Sequence, residues 1–184
     1  TPNFQWFQTA HHELGHGYYQ LAYSNPGVPP LLRDSATTAF HEAMAELVSL
    51  ATRQVPYLKA TGVLPADYKA DEMKVLLAEA LETAVPFMYW GSGTMTEWEA
   101  AFYAGKLPAD QLNAKQGVEP PSPRDEAFCD AATKTHVVDA PAYYFNYNIA
   151  FVLKYQFHDY ICKHILHQDV HAANYAGRRD VGDF

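Results

Sequence analysis

The sequence predicts an all-α fold. Along several segments, apolar residues recur at alternating steps of three and four, which is the spacing of one helix face. No run of alternating apolar and polar residues exceeds four, and the chain has no internal repeat. Its 184 residues, 48% of them hydrophobic and 14% aromatic, can fill a core. No stretch approaches the ~18 consecutive apolar residues of a membrane span.

The first helix is predicted from about Asn3 to Tyr23. It carries an apolar stripe that we expect to be buried, with His12 and His16 at its edge. The stripe consists of Phe4, Phe7, His11, Leu14, Tyr18 and Leu21. The N-P-G sequence at 25–27 should end this helix.

A second helix should begin at Thr37 or Thr38, since either hydroxyl can cap it, and Pro56 should end it. Its apolar stripe consists of Phe40, Met44, Leu47, Val48 and Ala51. Glu42 and Glu46 lie four residues apart on a different face.

Several shorter helices and one long helix complete the prediction. Residues 71–84 form a helix with Val75, Leu76, Leu77, Ala80 and Leu81 buried. Pro86 and the G-S-G sequence at 91–93 interrupt the pattern, and Thr94 or Thr96 caps a helix that Gly105 ends. Short helices follow Pro108 and cover about 125–134, and a long one runs from about 140 to 176 with an interruption near Gln168.

Composition narrows the classes of function. The net charge of −8 disfavours nucleic-acid binding, which needs a basic surface. Cys129 and Cys162 form no C-x-x-C pattern, so their pairing stays open and a cysteine zinc site is disfavoured. The first predicted helix begins within a few residues of the start, and we expect the sequence to be an excerpt of a longer protein or a processed product.

The H-E-x-x-H pattern formed by His12, Glu13 and His16 predicts a metal site. On a helix the two histidines face one ion, and Glu13 lies beside them as a general base. A catalytic zinc site needs a third ligand. The continuation with Gly at 19 and His at 22 is excluded, because Tyr19 and Ala22 stand there.

A glutamate from the next helix is the other common third ligand. Glu42 fits, and Glu46, one turn later, can accept the outer N–H of a ligand imidazole. The alternative is that the two glutamates form a solvated face. His164, His167 and His171 are also read as a solvated face rather than a second metal site.

Segments in one order along the chain resemble the angiotensin-converting enzyme family of zinc dipeptidyl carboxypeptidases. They are H-H-E-L-G-H at 11–16, Arg33, F-H-E-A at 40–43, K-T-H-V at 134–137, Tyr147 and F-V-L-K-Y-Q-F-H at 151–158. The resemblance implies an all-α helical zincin with a deep channel. It also implies that residues 1–184 are a single segment of a larger catalytic domain whose N-terminal lid and one wall precede it.

The resemblance assigns roles residue by residue. His12, His16 and Glu42 match the Zn²⁺ ligands, Glu13 the general base, and Glu46 the carboxylate behind the ligands. His136 and Tyr147 match the residues that bind the peptide near the scissile bond and stabilise the oxyanion. Lys134 matches a lysine that holds the substrate's C-terminal carboxylate, shared with Tyr144, for which Tyr143 is the alternative, and Phe151 is assigned to substrate binding.

Three positions depart from the family pattern. Asn146 and Asn113 stand where chloride-activated members carry arginine, which puts chloride activation in doubt. The usual disulfide partner of Cys162 is absent.

The resemblance implies removal of dipeptides from peptides with a free C-terminal carboxylate, and a secreted, periplasmic or extracellular location. Two alternatives stay open: another all-α H-E-x-x-H oligopeptidase or carboxypeptidase, and a non-enzymatic zinc-binding helical domain.

Overall fold

The computed structural model describes residues 3–112 and 130–184, and no strand occurs among them, which confirms the all-α class. The chain divides into two compact units, one formed by Thr1–Ala84 with Ile149–Phe184 and the other by Val85–Asn148. No helix in the described part of the chain is long and apolar enough to cross a membrane.

Within residues 3–112 and 130–184, the α-helices are α1 Phe4–Tyr23, α2 Thr38–Leu50, α3 Val55–Ala60, α4 Glu72–Ala78, α5 Val85–Met88, α6 Thr96–Tyr103, α7 Thr135–Val138, α8 Phe145–Tyr160 and α9 Arg179–Gly182. Three π-helical segments adjoin them: Glu79–Ala84, Tyr89–Met95 and Ile161–Leu166.

Side-chain caps fix the starts of α1 and α2 where the sequence predicts them. Asn3 accepts a hydrogen bond from the Trp6 backbone N–H at 2.9 Å, and Thr37 accepts one from that of Phe40 at 3.1 Å. The C-terminal bound of α2 differs from the prediction, because the helix ends at Leu50 and Pro56 lies in the first turn of α3. Proline is tolerated there because first-turn N–H groups have no partner within the helix.

The predicted buried stripe of α1 is wrong. Leu14, Tyr18 and Leu21 are 54%, 64% and 71% exposed, whereas Gly15 is the buried residue of the helix. A Cβ atom at Gly15 would lie 2.6 Å from the Ala45 Cα of α2, so only glycine permits this close approach. The face that packs on α2 is therefore chosen by backbone proximity at Gly15 and not by apolar periodicity.

Helical structure continues from Glu72 to Tyr103, so the predicted interruptions at Pro86 and 91–93 are wrong. Two π-helical segments absorb the irregular positions. The Thr96 hydroxyl donates to the Gly91 carbonyl at 2.8 Å instead of capping a new helix. Gly105, with φ +67°, ends the helix as predicted.

The predicted buried set of residues 71–84 is also wrong in part. Leu77 and Leu81 are exposed, whereas Glu79 and Ala84 are buried. In the other unit, Met95, Trp98, Val137 and Tyr144 form a core cluster.

Residues Ile161–Leu166 continue α8, and the helical structure ends at His167, which adopts φ +51°. The predicted break near Gln168 is confirmed, but the predicted continuation of the helix to 176 is wrong, because the next helical segment begins at Arg179. Ile161 and Cys162 pack there with Leu47 in the core of the first unit. Cys162 is a free, buried thiol. Cys129 and the Asp125 end of the predicted 125–134 helix lie outside the described residues.

His158 connects α8 to the C-terminal segment. Its Nε2–H donates to the Val170 carbonyl at 2.6 Å, which leaves Nδ1 to accept from the Tyr175 hydroxyl. Burial lowers the pKa of His158, although the Val170 hydrogen bond and the Asp159 carboxylate act in the opposite direction. The imidazole is thus held neutral.

We expect His158 to make the folded protein sensitive to acid. The unfolded chain takes up this proton near the usual pKa of ~6.5, and the folded chain only at lower pH, so stability falls as the pH drops below that value. Thermal unfolding of the intact protein at pH 7.5 and pH 5 measures the effect. His158→Gln should reduce the loss on acidification, whereas the exposed control His164→Gln should not. Equal acid sensitivity in all three proteins would contradict this role.

Candidate metal centre and catalytic residues

Three ligand atoms from α1 and α2 converge on one point. His12 Nε2 and His16 Nε2 are 3.1 Å apart, and Glu42 Oε2 lies 3.3 Å and 3.6 Å from them. Ligand atoms bonded at ~2.0–2.2 Å to a tetrahedral zinc ion lie roughly 3.3–3.6 Å from one another. The triangle fits such an ion. Among the described residues, no other group of His, Cys, Asp and Glu side chains converges in this way.

The local sequence explains this convergence. His12 and His16 are one turn apart on α1, and Gly15 between them lets α2 approach closely. Glu42, in the first half of α2, is only 2% exposed and reaches into the space between the two imidazoles. The alternative of a solvated glutamate face is excluded for Glu42 by its burial.

Glu46 contacts the outer nitrogen of His12. Its Oε1 is 3.1 Å from His12 Nδ1, and its Oε2 accepts a hydrogen bond from the Lys154 ammonium at 2.9 Å. Since a carboxylate accepts, His12 Nδ1 carries a proton, and Nε2 is therefore the ring nitrogen that can bind a metal ion together with the other two ligand atoms.

The charges around His12 favour a bound cation. Burial alone would lower the pKa of His12, but the Glu42 and Glu46 carboxylates raise it to about 9. Burial likewise opposes ionisation of Glu46, and Lys154 with His12 lowers its pKa to about 2. A divalent ion between His12, His16 and Glu42 would take the place of the proton that these carboxylates attract to His12.

His16 has a partner that the sequence did not predict. Its Nδ1 lies 2.6 Å from His41 Nδ1, and His41 Nε2 lies 3.4 Å from the Tyr23 hydroxyl. When His41 donates from Nε2 to Tyr23, it can accept from His16 Nδ1–H, and this leaves the Nε2 lone pair of His16 facing Glu42. Each predicted ligand histidine therefore has an outer partner. For His41 the only signal in the sequence is its position next to Glu42.

Glu13 is exposed on the neighbouring face of α1. Burial lowers the pKa of His16, and the Glu42 and Glu13 carboxylates oppose that shift, so Glu13 acts electrostatically on the ligand set. Because the Glu13 carboxylate is exposed and is not one of the three converging ligands, it can take a proton from a water molecule without being lost as a metal ligand.

The other unit brings together two more predicted residues. The Tyr147 hydroxyl of α8 and His136 Nε2 of α7 are 3.2 Å apart. The ring centroids of Tyr143 and Tyr144 lie 4.8 Å and 5.2 Å from that of His136. Tyr147 and His136 can each donate a hydrogen bond to an oxyanion. They therefore lie in one cluster of aromatic rings with Tyr143 and Tyr144, the two alternatives for the carboxylate contact.

Lys134 and Tyr144 contact the same tryptophan. The Lys134 ammonium lies 5.7 Å from the Trp90 ring centroid, and the Tyr144 ring lies 5.0 Å from it. Tyr144 is 3% exposed, and burial raises its pKa, whereas Tyr143 is half-buried. Both tyrosines are thus candidates for the carboxylate contact, Tyr144 because it lies near Trp90 and Tyr143 because it is less buried than Tyr144.

Two further predicted positions have partners of their own. Phe151 is buried in the unit that holds His12, with the Lys154 ammonium 4.5 Å from its ring centroid. The Asn146 amide donates to the Tyr143 carbonyl at 2.9 Å. A neutral amide therefore stands where chloride-activated members carry an arginine. Asn113, the other such position, lies outside the described residues.

Comparison with known proteins identifies relatives of this chain. The peptidase M2 family model, described as angiotensin-converting enzyme, matches residues 1–184. The chain is 32% identical to an angiotensin-converting enzyme of Theromyzon tessulatum over 98% of its own length, and 32% identical to that of Bos taurus over 93%. It spans 30% of the first protein and 14% of the second.

Proposed function

This chain belongs to the angiotensin-converting enzyme family, and on that premise we propose that it forms the zinc centre of a peptidase that removes dipeptides from the C-termini of oligopeptides. The observation that carries the proposal is the triangle of His12, His16 and Glu42, whose edges are 3.1 to 3.6 Å long. The intact Glu13 beside it favours an enzyme over a structural zinc site, which needs no base.

His12, His16 and Glu42 would hold Zn²⁺, with Glu46 and His41 fixing the two imidazoles. When bound, a zinc ion polarises the scissile carbonyl and lowers the pKa of water to about 7. Glu13 takes the proton of the attacking water and passes it to the leaving amine. By their match to the family pattern, His136 and Tyr147 are assigned to hold the negative charge that develops on the carbonyl oxygen, and losing one such donor typically costs about 10²–10³ in rate.

By its match to the family pattern, Lys134 is the residue that would set the position of the cut. Its ammonium, with Tyr144 or Tyr143, would bind the free carboxylate at the end of the peptide, so that the scissile bond lies two residues from that end. Because Asn146 places no positive charge next to Tyr147, chloride activation is not part of the proposed function.

Peptides that differ only at the C-terminus test the proposal. The intact protein should release a dipeptide from an N-blocked tripeptide, and amidation of the C-terminus should lower kcat/KM. Lys134→Met should lower kcat/KM for the free acid by about 10- to 100-fold, since it removes a hydrogen bond to a charged group. It should leave cleavage of the amide unchanged.

The exposed Lys106→Met is the matched control and should behave as the wild type. Equal cleavage of the acid and the amide would favour the alternative, an H-E-x-x-H oligopeptidase that does not recognise the C-terminus. Absence of hydrolysis with zinc bound would favour the non-enzymatic alternative.

A further inference from the structure

Lys154 is a buried cation that the proposed chemistry does not use. Its side chain in α8 has no exposed area, and its ammonium lies 2.9 Å from Glu46 Oε2 and 3.3 Å from Glu79 Oε1. The rings of Phe151 and Tyr155 lie 4.5 Å and 5.1 Å from the ammonium. Lys154 thus contacts carboxylates from two other helical segments, and two aromatic rings lie next to its ammonium.

Glu79 extends these contacts back to α1. Its Oε2 forms an ion pair with Arg53 Nε at 2.9 Å, and its Oε1 accepts from the Gln8 amide at 3.5 Å. Gln8 also accepts from the Arg53 guanidinium at 3.3 Å, and it lies one turn before His12 on α1. The polar side-chain contacts therefore form a closed network that starts at His12 and returns to α1 at Gln8.

A gain in folding stability is by itself a weak explanation for such a network. Burying a charge pair requires desolvation that its attraction barely offsets, so well-packed apolar residues are often as stable. What the network does provide is a fixed orientation of the Glu46 carboxylate. Glu46 has three rotatable side-chain bonds, and its two oxygens are held separately, Oε1 by His12 and Oε2 by Lys154.

We propose that Lys154 is a positioning residue for the metal centre: it fixes the Glu46 carboxylate, which holds His12 with its Nε2 toward His16 and Glu42. Glu79, supported by Arg53 and Gln8, holds Lys154 in turn. The inference rests on the zinc site of the proposed function, and it assigns to Lys154 no contact with the substrate.

Zinc affinity measures this role without reference to activity. In the intact protein, competition with a chromophoric chelator gives the zinc Kd. Lys154→Met should raise that Kd by about 10- to 100-fold, the usual effect of losing an outer partner of a ligand. Lys163→Met is the matched control, because Lys163 also pairs with a carboxylate, Asp159, but is exposed. Its Kd should equal that of the wild type.

A double-mutant cycle separates positioning from a general structural effect. If Lys154 acts through Glu46, then Lys154→Met should change the Kd less than about twofold in a Glu46→Gln background. Glu79→Gln is a milder change that should also raise the zinc Kd, by a smaller factor and only when Glu46 is present.

If circular dichroism shows that Lys154→Met does not fold, the cycle of Glu79→Gln with Glu46→Gln tests the inference instead.

Two results would overturn the inference. One is a zinc Kd that is the same in folded Lys154→Met as in the wild type. If Lys154→Met does not fold, the same result in Glu79→Gln would overturn the inference. The other is an equal rise of the Kd with and without Glu46. A wild-type protein that binds no zinc would instead overturn the proposed function, and this inference with it.

Discussion

Replacing Glu13 with glutamine is expected to abolish peptide hydrolysis and leave zinc bound. Glutamine keeps the shape of the side chain but cannot take up a proton from water, and general base catalysis typically contributes about 10²–10⁴ in rate. Glu13 is exposed and is not one of the three converging ligands, so the Kd for zinc should change little.

The measurements for Glu13→Gln are kcat on the blocked tripeptide and zinc content by atomic emission. Glu82→Gln, at an exposed carboxylate of the same unit, is the matched control and should retain full activity. Hydrolysis by zinc-loaded Glu13→Gln within tenfold of the wild-type rate would remove Glu13 as the base.

Replacing Glu42 with glutamine should cost both zinc and activity. Its carboxylate oxygen is one corner of the ligand triangle, and a neutral amide is a poorer ligand for a divalent cation. The Kd for zinc should therefore rise by more than the ~10- to 100-fold expected for an outer partner. Excess zinc should restore activity only in part.

Glu46→Gln is the matched control for Glu42→Gln, because it makes the same chemical change one turn later on α2. The expected order of zinc affinity is wild type, then Glu46→Gln, then Glu42→Gln. The reverse order of the two variants would show that Glu46, rather than Glu42, is the ligand.

Local sequence signals predicted the two helices that carry the candidate metal ligands. Asn3 and Thr37 cap α1 and α2 through contacts within three residues, and one-turn spacing places His12 with His16 and Glu42 with Glu46. These features depend on neighbouring residues only. Periodicity failed where the choice of face depended on a partner helix, because it cannot register that Gly15 alone admits the backbone of α2.

The charged residues that contact Glu46 and Glu79 next to the candidate metal centre could not be predicted, for a related reason. Lys154 meets Glu46 across 108 positions of sequence and Glu79 across 75, and no local pattern encodes those pairings. A weak signal existed, since Lys154 and Glu79 are lone charges within apolar helical stretches. His136 and Tyr147 carry no such signal, and only the family resemblance singled them out.

X-ray absorption at the zinc K-edge of the loaded intact protein tests the ligand set most directly. The expected first shell contains two imidazole nitrogens and a carboxylate oxygen at about 2.0–2.2 Å, without sulfur. His12→Gln should remove one imidazole from that shell. A sulfur scatterer near ~2.3 Å, or a shell that lacks imidazole, would contradict a zinc centre built from His12, His16 and Glu42.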